Sequence, residues 1–173
     1  NFLIELELIV DAGLVGLHNA GKSSLLNAIT NSKSKVGDFP FTTLEPNLGN
    51  FFGNIIADIP GLIEGASFGK GLGYAFLKHI KRTKTIVHCI SSEHTNPYKA
   101  YITIRKELEQ FNNVFKERPE MIVLTKSDLV TEGVLKKKIK NLEQSGKEVF
   151  SVSVLDDDAI KKFSDNLTSF LSL

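Results

Sequence analysis

The chain is short of cysteine, of long apolar runs and of net charge, and each shortage removes a class of protein. A single cysteine, Cys89, can form no intrachain disulfide. A cystine-stapled scaffold is therefore excluded, and a reducing compartment is the expected setting. Cys89 lies in the apolar run Ile86 to Ile90, where a buried core thiol is expected. No stretch approaches the roughly 18 consecutive apolar residues of a membrane-spanning helix. The opening NFLIELELIVD is acidic and lacks the basic start and cleavage site of a secretory signal. A soluble cytoplasmic protein, with no membrane partner and monomeric, is the expectation. With 21 basic and 20 acidic residues the formal charge is +1, so the overall balance gives no argument for nucleic acid or an acidic membrane. No internal repeat is visible. The first residue is not Met and the chain opens in mid-pattern, which suggests a domain excised from something longer.

Against those shortages stands one dense motif. Gly16, Leu17, His18, Asn19, Ala20, Gly21, Lys22 and Ser23 fit the pattern of a glycine, four residues, then Gly-Lys-Ser, the phosphate-cradling loop. Ala12 to Val15 before it suits a buried strand, and Leu25, Leu26, Ala28 and Ile29 after it recur at helical spacing. The glycines let the backbone curl so that N–H groups point inward, and the helix beginning near Lys22 adds the positive end of its dipole. Lys22 is expected to reach the β and γ phosphates of a nucleotide, and the Ser23 hydroxyl to ligate Mg2+.

At 173 residues, 42% hydrophobic and 24% charged, the chain is large enough for one domain with a full core. Phe2 to Val10 alternates apolar and acidic residues and is assigned, as residues 1–10, to a linker or the tail of a preceding domain; residues 11–173 form the nucleotide-binding domain. Residues 32–47 carry two prolines and no helical period, so they are expected to be a long loop. Leu48 to Phe52 and Ile55 to Ala57 are expected strands, joined by a tight turn at Gly53-Asn54. Five glycines between Pro60 and Gly73 indicate a segment that changes shape. Tyr74 to Arg82 has helical composition. Further strands are expected at Ile86 to Ile90, Met121 to Leu124 and Val149 to Val152, and helices at Tyr98 to Phe111, Val134 to Leu142 and Ala159 to Leu171. Such alternation predicts an α/β fold, a mostly parallel six-stranded sheet with one antiparallel edge strand and helices on both faces, its ligand at the carboxyl ends of the strands.

The remaining motifs fall at those ends. Asp58, Ile59, Pro60 and Gly61 follow the strand Ile55 to Ala57. There a carboxylate can hold Mg2+ through water while the Gly61 N–H reaches toward a γ-phosphate. Thr42 and Thr43, in the long loop, offer a hydroxyl to complete the metal shell. Thr125, Lys126, Ser127 and Asp128 end the strand Met121 to Leu124. A carboxylate at Asp128 can accept from both N1–H and the exocyclic amine of guanine, whereas adenine has no N1–H. Lys126 is expected to lay its stem over the base and back onto the phosphate loop. Ser153, Val154 and Leu155 could present a backbone N–H to the guanine carbonyl, or could be an ordinary strand end.

The runs DFPFTTLEPNLG (38–49) and ADIPGLIEGASFGKGLGYAFLKHIKRT (57–83), with IVHCI, YITIRKELEQFN and TKSD, resemble the guanine-nucleotide domain of the Obg GTPases, a branch of the P-loop GTPases. The likeness covers essentially residues 11–172. It implies a Ras-like three-layer fold, a phosphate loop at Gly16 to Ser23, and a first switch of Phe41, Thr42, Thr43, Leu44 and Glu45 with Thr43 on Mg2+. It places the second switch from Asp58 to Gly61 and guanine recognition at Thr125 to Asp128 and Ser153 to Leu155. It further implies binding of GTP and GDP, slow GTP hydrolysis, a cytoplasmic role in assembly of the large ribosomal subunit, and in some members binding of (p)ppGpp. Departures are His18 where the family usually has Pro, Thr125 where it usually has Asn, and Ser91 where Asp is usual.

Two rival functions stay open: an ATP-using P-loop protein of the sister family, which Asp128 opposes, and a nucleotide-dependent binding module with negligible turnover. Where many GTPases place a water-orienting Gln directly after the Asp-x-x-Gly motif, this chain has Leu62. A slow enzyme is expected, its catalytic groups being Lys22, Thr43, Gly61 and Asn19. No Arg lies in either switch stretch. Asn19 either tolerates a turn conformation or, as resemblance to cation-dependent GTPases implies, holds K+ against the phosphates.

Overall fold

The computed structural model describes residues 9–30, 35–36, 47–59 and 82–173. Its strands are β1 (Ile9–Val15), β2 (Lys35–Val36), β3 (Asn47–Phe51), β4 (Asn54–Asp58), β5 (Arg82–Ser91), β6 (Glu120–Thr125) and β7 (Val149–Ser151). They form one sheet in the order β2-β3-β4-β1-β5-β6-β7. From β4 to β7 every pairing is parallel, and β3 runs antiparallel to β4. All six expected strands are present. The two-residue β2 is an addition inside the stretch expected to be loop, pairing antiparallel to β3 through Lys35 with Leu48 and Val36 with Asn47.

The described helices are α1 (Lys22–Thr30), α2 (Pro97–Phe111), α3 (Glu132–Glu143) and α4 (Asp157–Leu171). The last three begin one or two residues before the apolar periodicity does, because each start is set by a cap. Asn96 accepts from the Lys99 N–H at 3.0 Å ahead of Pro97, and Asp156 accepts from the Ala159 N–H at 3.1 Å. Thr131 accepts from the Val134 N–H at 3.4 Å. Short polar side chains at these positions satisfy N–H groups that have no intrahelical acceptor. The helix expected over Tyr74 to Arg82 lies outside the described residues except for Arg82, which is the first residue of β5.

Period-two alternation sends neighbouring strand residues to opposite faces, and the two cores follow it. Val87, Cys89, Met121 and Val123 face α1 and α4, meeting Leu25, Leu26, Phe163 and Leu167. On the other face Ile86 meets Ile104 and Leu108 of α2, while Ile90, Ile122 and Leu124 meet Tyr101 and the α3 residue Leu142. Cys89 is buried, as its apolar run predicted. Burial without a nearby cation strong enough to offset it pushes its thiol pKa up to about 12, so the group stays protonated at neutral pH.

Two boundaries differ from the sequence reading. Ile9 and Val10, assigned to the linker, are the start of β1, in register with Arg82 and Thr83. The hairpin turn is Phe52-Gly53, not Gly53-Asn54: Phe51 pairs with Asn54, and both central residues have positive φ, 47° and 87°. That is the primed turn whose twist matches the strands. Asn50 stabilises it by accepting from the Gly53 N–H at 2.9 Å, which holds Phe52 in a conformation its side chain disfavours.

A buried polar network ties α2 to the sheet. Glu120 Oε1 lies 3.2 Å from His88 Nδ1, and Oε2 lies 3.1 Å from the Tyr101 hydroxyl and 3.3 Å from Arg105 Nη1. Burial raises the Glu120 pKa, but the hydrogen bond and charge of His88, with Arg105 and Tyr101, outweigh it and hold the group below its usual 4.5. A depressed folded pKa stabilises above the unfolded value and is withdrawn as pH falls through the folded one. Glu120→Ala is expected to cost about 3–5 kcal/mol, because it leaves the Tyr101 hydroxyl and His88 Nδ1 buried without their carboxylate partner and takes one of the two carboxylates from Arg105. Urea unfolding checks this: the deficit should be full at pH 7 and should shrink as the pH drops below the usual glutamate range, where the parent loses the same interaction.

Candidate functional site

β1 lies between β4 and β5, the point where chain connections turn opposite ways, and such points open a crevice at the carboxyl ends of the strands. Gly16 follows β1 and sits against β5: a Cβ there would lie 2.3 Å from the Cys89 carbonyl oxygen, so only glycine lets the loop lie this close to β5. Asn19 (φ 62°) and Gly21 (φ 79°) are left-handed, and the Ala20 N–H donates to the Leu17 carbonyl at 3.1 Å. This curl brings the chain back to start α1 at Lys22. The Lys22 side chain is buried and folds over its own loop, donating from Nζ to the carbonyls of Gly16 at 3.3 Å and Leu17 at 3.2 Å. His18 to Ser24 and Asp58 line a cleft of about 340 Å³. The first-turn N–H groups of α1 lack intrahelical acceptors, so this is a polar, cationic cradle for an anion.

Asp58 ends β4 beside Leu14 of β1. The Ile59 N–H donates to the Leu14 carbonyl at 3.0 Å, which fixes the exit of the strand. Asp58 is buried; Oδ2 accepts from the Ser23 hydroxyl, while Oδ1 has no hydrogen-bond partner among the described residues. A buried orphan carboxylate oxygen next to a hydroxyl, at the mouth of an anion cradle, is a donor set that fits a hard divalent cation.

A second cleft of about 210 Å³ adjoins the first, sharing Gly21 and Ser24 with it. Its other lining residues are Leu25, Thr125, Lys126, Asp128, Val152, Val154 and Leu155. Val154 and Leu155 are 42% and 81% exposed, apolar surface that a flat ring could cover. The Thr125 hydroxyl reaches the Ala20 carbonyl at 2.7 Å and lies 3.2 Å from that of Ile90. Lys126 is left-handed (φ 55°) and opens the 3-10 turn Ser127–Leu129, which carries Asp128 to the surface. The Ser127 N–H donates to the Val152 carbonyl at 3.2 Å.

A family described as 50S ribosome-binding GTPase matches residues 11–126. The chain belongs to that family. It is 45% identical over 160 residues to GTPase Obg 2 of Anaplasma marginale, covering 90% of this chain and 49% of that protein. To GTPase Obg of Rickettsia rickettsii it is 44% identical over 164 residues, covering 92% and 50%. The chain thus spans about half the length of these curated relatives. Among solved structures, a GTP-binding protein from Sulfolobus solfataricus in complex with GDP matches with a TM-score of 0.70 at 18% identity, over 93% of this chain and 52% of that one. An NFeoB mutant from S. thermophilus bound to GDP matches with a TM-score of 0.67 at 24% identity, over 89% and 59%. Both share the P-loop GTPase fold.

Within this GTPase fold the structure brings together Gly16 to Ser23, Asp58, Thr125 to Asp128 and the strand end at Val152 to Leu155. Phe41, Thr42, Thr43, Leu44, Glu45, Pro60 and Gly61 lie outside the described residues; Ile59 is buried. Two expectations change in detail. The tie from the fourth motif to the phosphate loop is made by the Thr125 hydroxyl, and the Lys126 ammonium turns instead to Glu93 at 2.8 Å. The Leu155 N–H is already given to the Ser153 hydroxyl at 3.2 Å, so it is a turn bond rather than a free donor. Ser24, Leu25 and Val152 line the second cleft without having been singled out. Ser24 directly follows the phosphate motif, and a lining role was legible from that alone.

Proposed function

We propose that residues 11–173 are the guanine-nucleotide domain of a GTPase that binds GTP and GDP with Mg2+ and hydrolyses GTP slowly. The observation that carries this reading is the pair of joined clefts, with Lys22, Ser23 and Asp58 converging on one and Asp128 at the rim of the other. Relatives named GTPase Obg support it. Lys22 would hold the β and γ phosphates and Asp128 the guanine edge. Ser23, Asp58 and, by resemblance, Thr43 would hold Mg2+, which when bound neutralises charge on the β and γ phosphates. Gly61 would offer its N–H to the γ-phosphate. Action on the large ribosomal subunit through the full-length protein is supported by the family description; a cytoplasmic location, a monomeric state and (p)ppGpp as a further ligand rest on the sequence reading and on resemblance alone. Among the described residues no helix is long and apolar enough to cross a membrane.

Leu62 after the second motif cannot orient water, and a missing catalytic group of this kind costs on the order of 10² or more in rate. Asn19, at the lip of the phosphate cleft, is proposed to hold K+ there and offset charge developing between the β and γ phosphates. Single-turnover hydrolysis in matched KCl and NaCl, with and without 50S particles, tests this. Faster turnover in KCl that Asn19→Ala removes is the expected result. Equal rates in the two salts would leave Asn19 as a turn residue, and no turnover under any condition would overturn the enzyme reading.

A further inference from the structure

The stretch Ser91-Ser92-Glu93, from the last residue of β5 toward α2, contains none of the phosphate or base motifs, yet it grips two neighbouring residues of the base cleft at three points. The Ser92 N–H donates to the Thr125 carbonyl at 2.9 Å, and the Ser92 hydroxyl donates to the Lys126 carbonyl at 2.5 Å. The Glu93 carboxylate accepts from Lys126 Nζ at 2.8 Å. Ser91 sets that carboxylate in place: its hydroxyl accepts from the Glu93 N–H at 3.2 Å and donates to Glu93 Oε2 at 3.3 Å. Lys126 needs such support, because its φ of 55° is one that side-chain-bearing residues rarely adopt. The Lys126 hydrogen bond also holds the Glu93 pKa below the usual carboxylate range, so the anchor is ionised at neutral pH.

We propose that Glu93 is a positioning residue for the nucleobase: by fixing the Lys126 ammonium it lays that side chain's methylene stem along the cleft as a wall for a planar guanine. This rests on the guanine-nucleotide reading of the same cleft. An unanchored lysine explores many rotamers, and ordering it costs free energy when the base arrives. Anchoring beforehand moves that cost out of the binding step. It also keeps the ammonium away from the phosphate loop, whose carbonyls at Gly16 and Leu17 are already held by Lys22. The contact is half exposed, with side-chain exposures of 33% for Lys126 and 53% for Glu93. Its effect is therefore that of a surface ion pair, modest and weakened by salt.

The test is the release rate of a fluorescent GDP from the 173-residue chain at low and high salt, beside pyrophosphate affinity as a report on the phosphate loop alone. Glu93→Gln is expected to speed release about two- to five-fold at low salt, with a smaller ratio at high salt. Pyrophosphate binding should not move. In a Lys126→Met background, which keeps the apolar stem and removes the ammonium, Glu93→Gln should add nothing. Unchanged release in the single variant overturns the proposal, as does an equal acceleration in the Lys126→Met background or a parallel loss of pyrophosphate affinity. A parent that fails to prefer GDP over ADP overturns the base reading and this role together; a discriminating parent with an unaffected Glu93→Gln variant overturns only the positioning role.

Discussion

Lys22→Ala is expected to lower the affinity for GTP and GDP by about 10²-fold or more while leaving the domain folded. The ammonium is buried at the centre of the loop that the phosphates would enter. Removing one partner of a buried, hydrogen-bonded charge pair costs about 2–5 kcal/mol, and each 1.4 kcal/mol is tenfold in affinity. Folding should tolerate the change. The two acceptors of the ammonium, the carbonyls of Gly16 and Leu17, directly precede the residues His18 to Ser24 that line an open polar cleft, and that cleft reaches Lys22 itself, so water can take the place of the ammonium. Alanine is also the best helix former for the first position of α1. Calorimetric titration with GDP, paired with a thermal melt, separates the two effects. Unchanged affinity would remove Lys22 from the phosphate site, and a collapsed melt would show that its loop bonds hold the fold.

What could be foreseen followed from how local each cause is. The phosphate loop was legible because its geometry demands particular residues: only glycine passes under the Cys89 carbonyl, and the return at Gly21 needs positive φ. Asp58 was legible from its place at the end of a strand that pairs with β1. The turn was misplaced by one residue because the bond that favours Phe52-Gly53 comes from the Asn50 side chain, inside the strand and three residues before Gly53. A two-residue strand such as β2 has no pattern to detect. The Glu120 network was invisible for a different reason: His88 sits in an apolar run, and its partner lies 32 residues away. Thr125 in place of Asn was visible as a departure, but its consequence was not. That the shorter side chain still reaches the Ala20 carbonyl depends on how closely the phosphate loop approaches the end of β6, a distance that no linear reading contains.

Asp128→Asn is expected to move the chain's preference from guanine to xanthine nucleotides. Guanine offers two parallel donors, N1–H and the exocyclic amine, and an ionised carboxylate accepts both. Xanthine carries a carbonyl in place of the amine, so the parent carboxylate meets a lone pair there, while an amide can donate to it. Sites built around such a bond reject the analogue lacking it by about 10⁴ or more. The substitution should leave the site's framework alone. Asp128 is exposed, and its turn is held through backbone groups, the Leu129 N–H on the Lys126 carbonyl at 3.0 Å and the Ser127 N–H on the Val152 carbonyl at 3.2 Å. Phosphate contacts lie in the other cleft, so pyrophosphate affinity serves as the internal control. Competition of GTP against xanthosine triphosphate reads the result directly. The parent should prefer GTP by several orders of magnitude, and the variant should lose that preference or reverse it at unchanged pyrophosphate affinity. A variant that discriminates as strongly as the parent would show that another group reads the base, and the guanine edge would then have to be sought along Val152 to Leu155, three of whose residues also line the cleft.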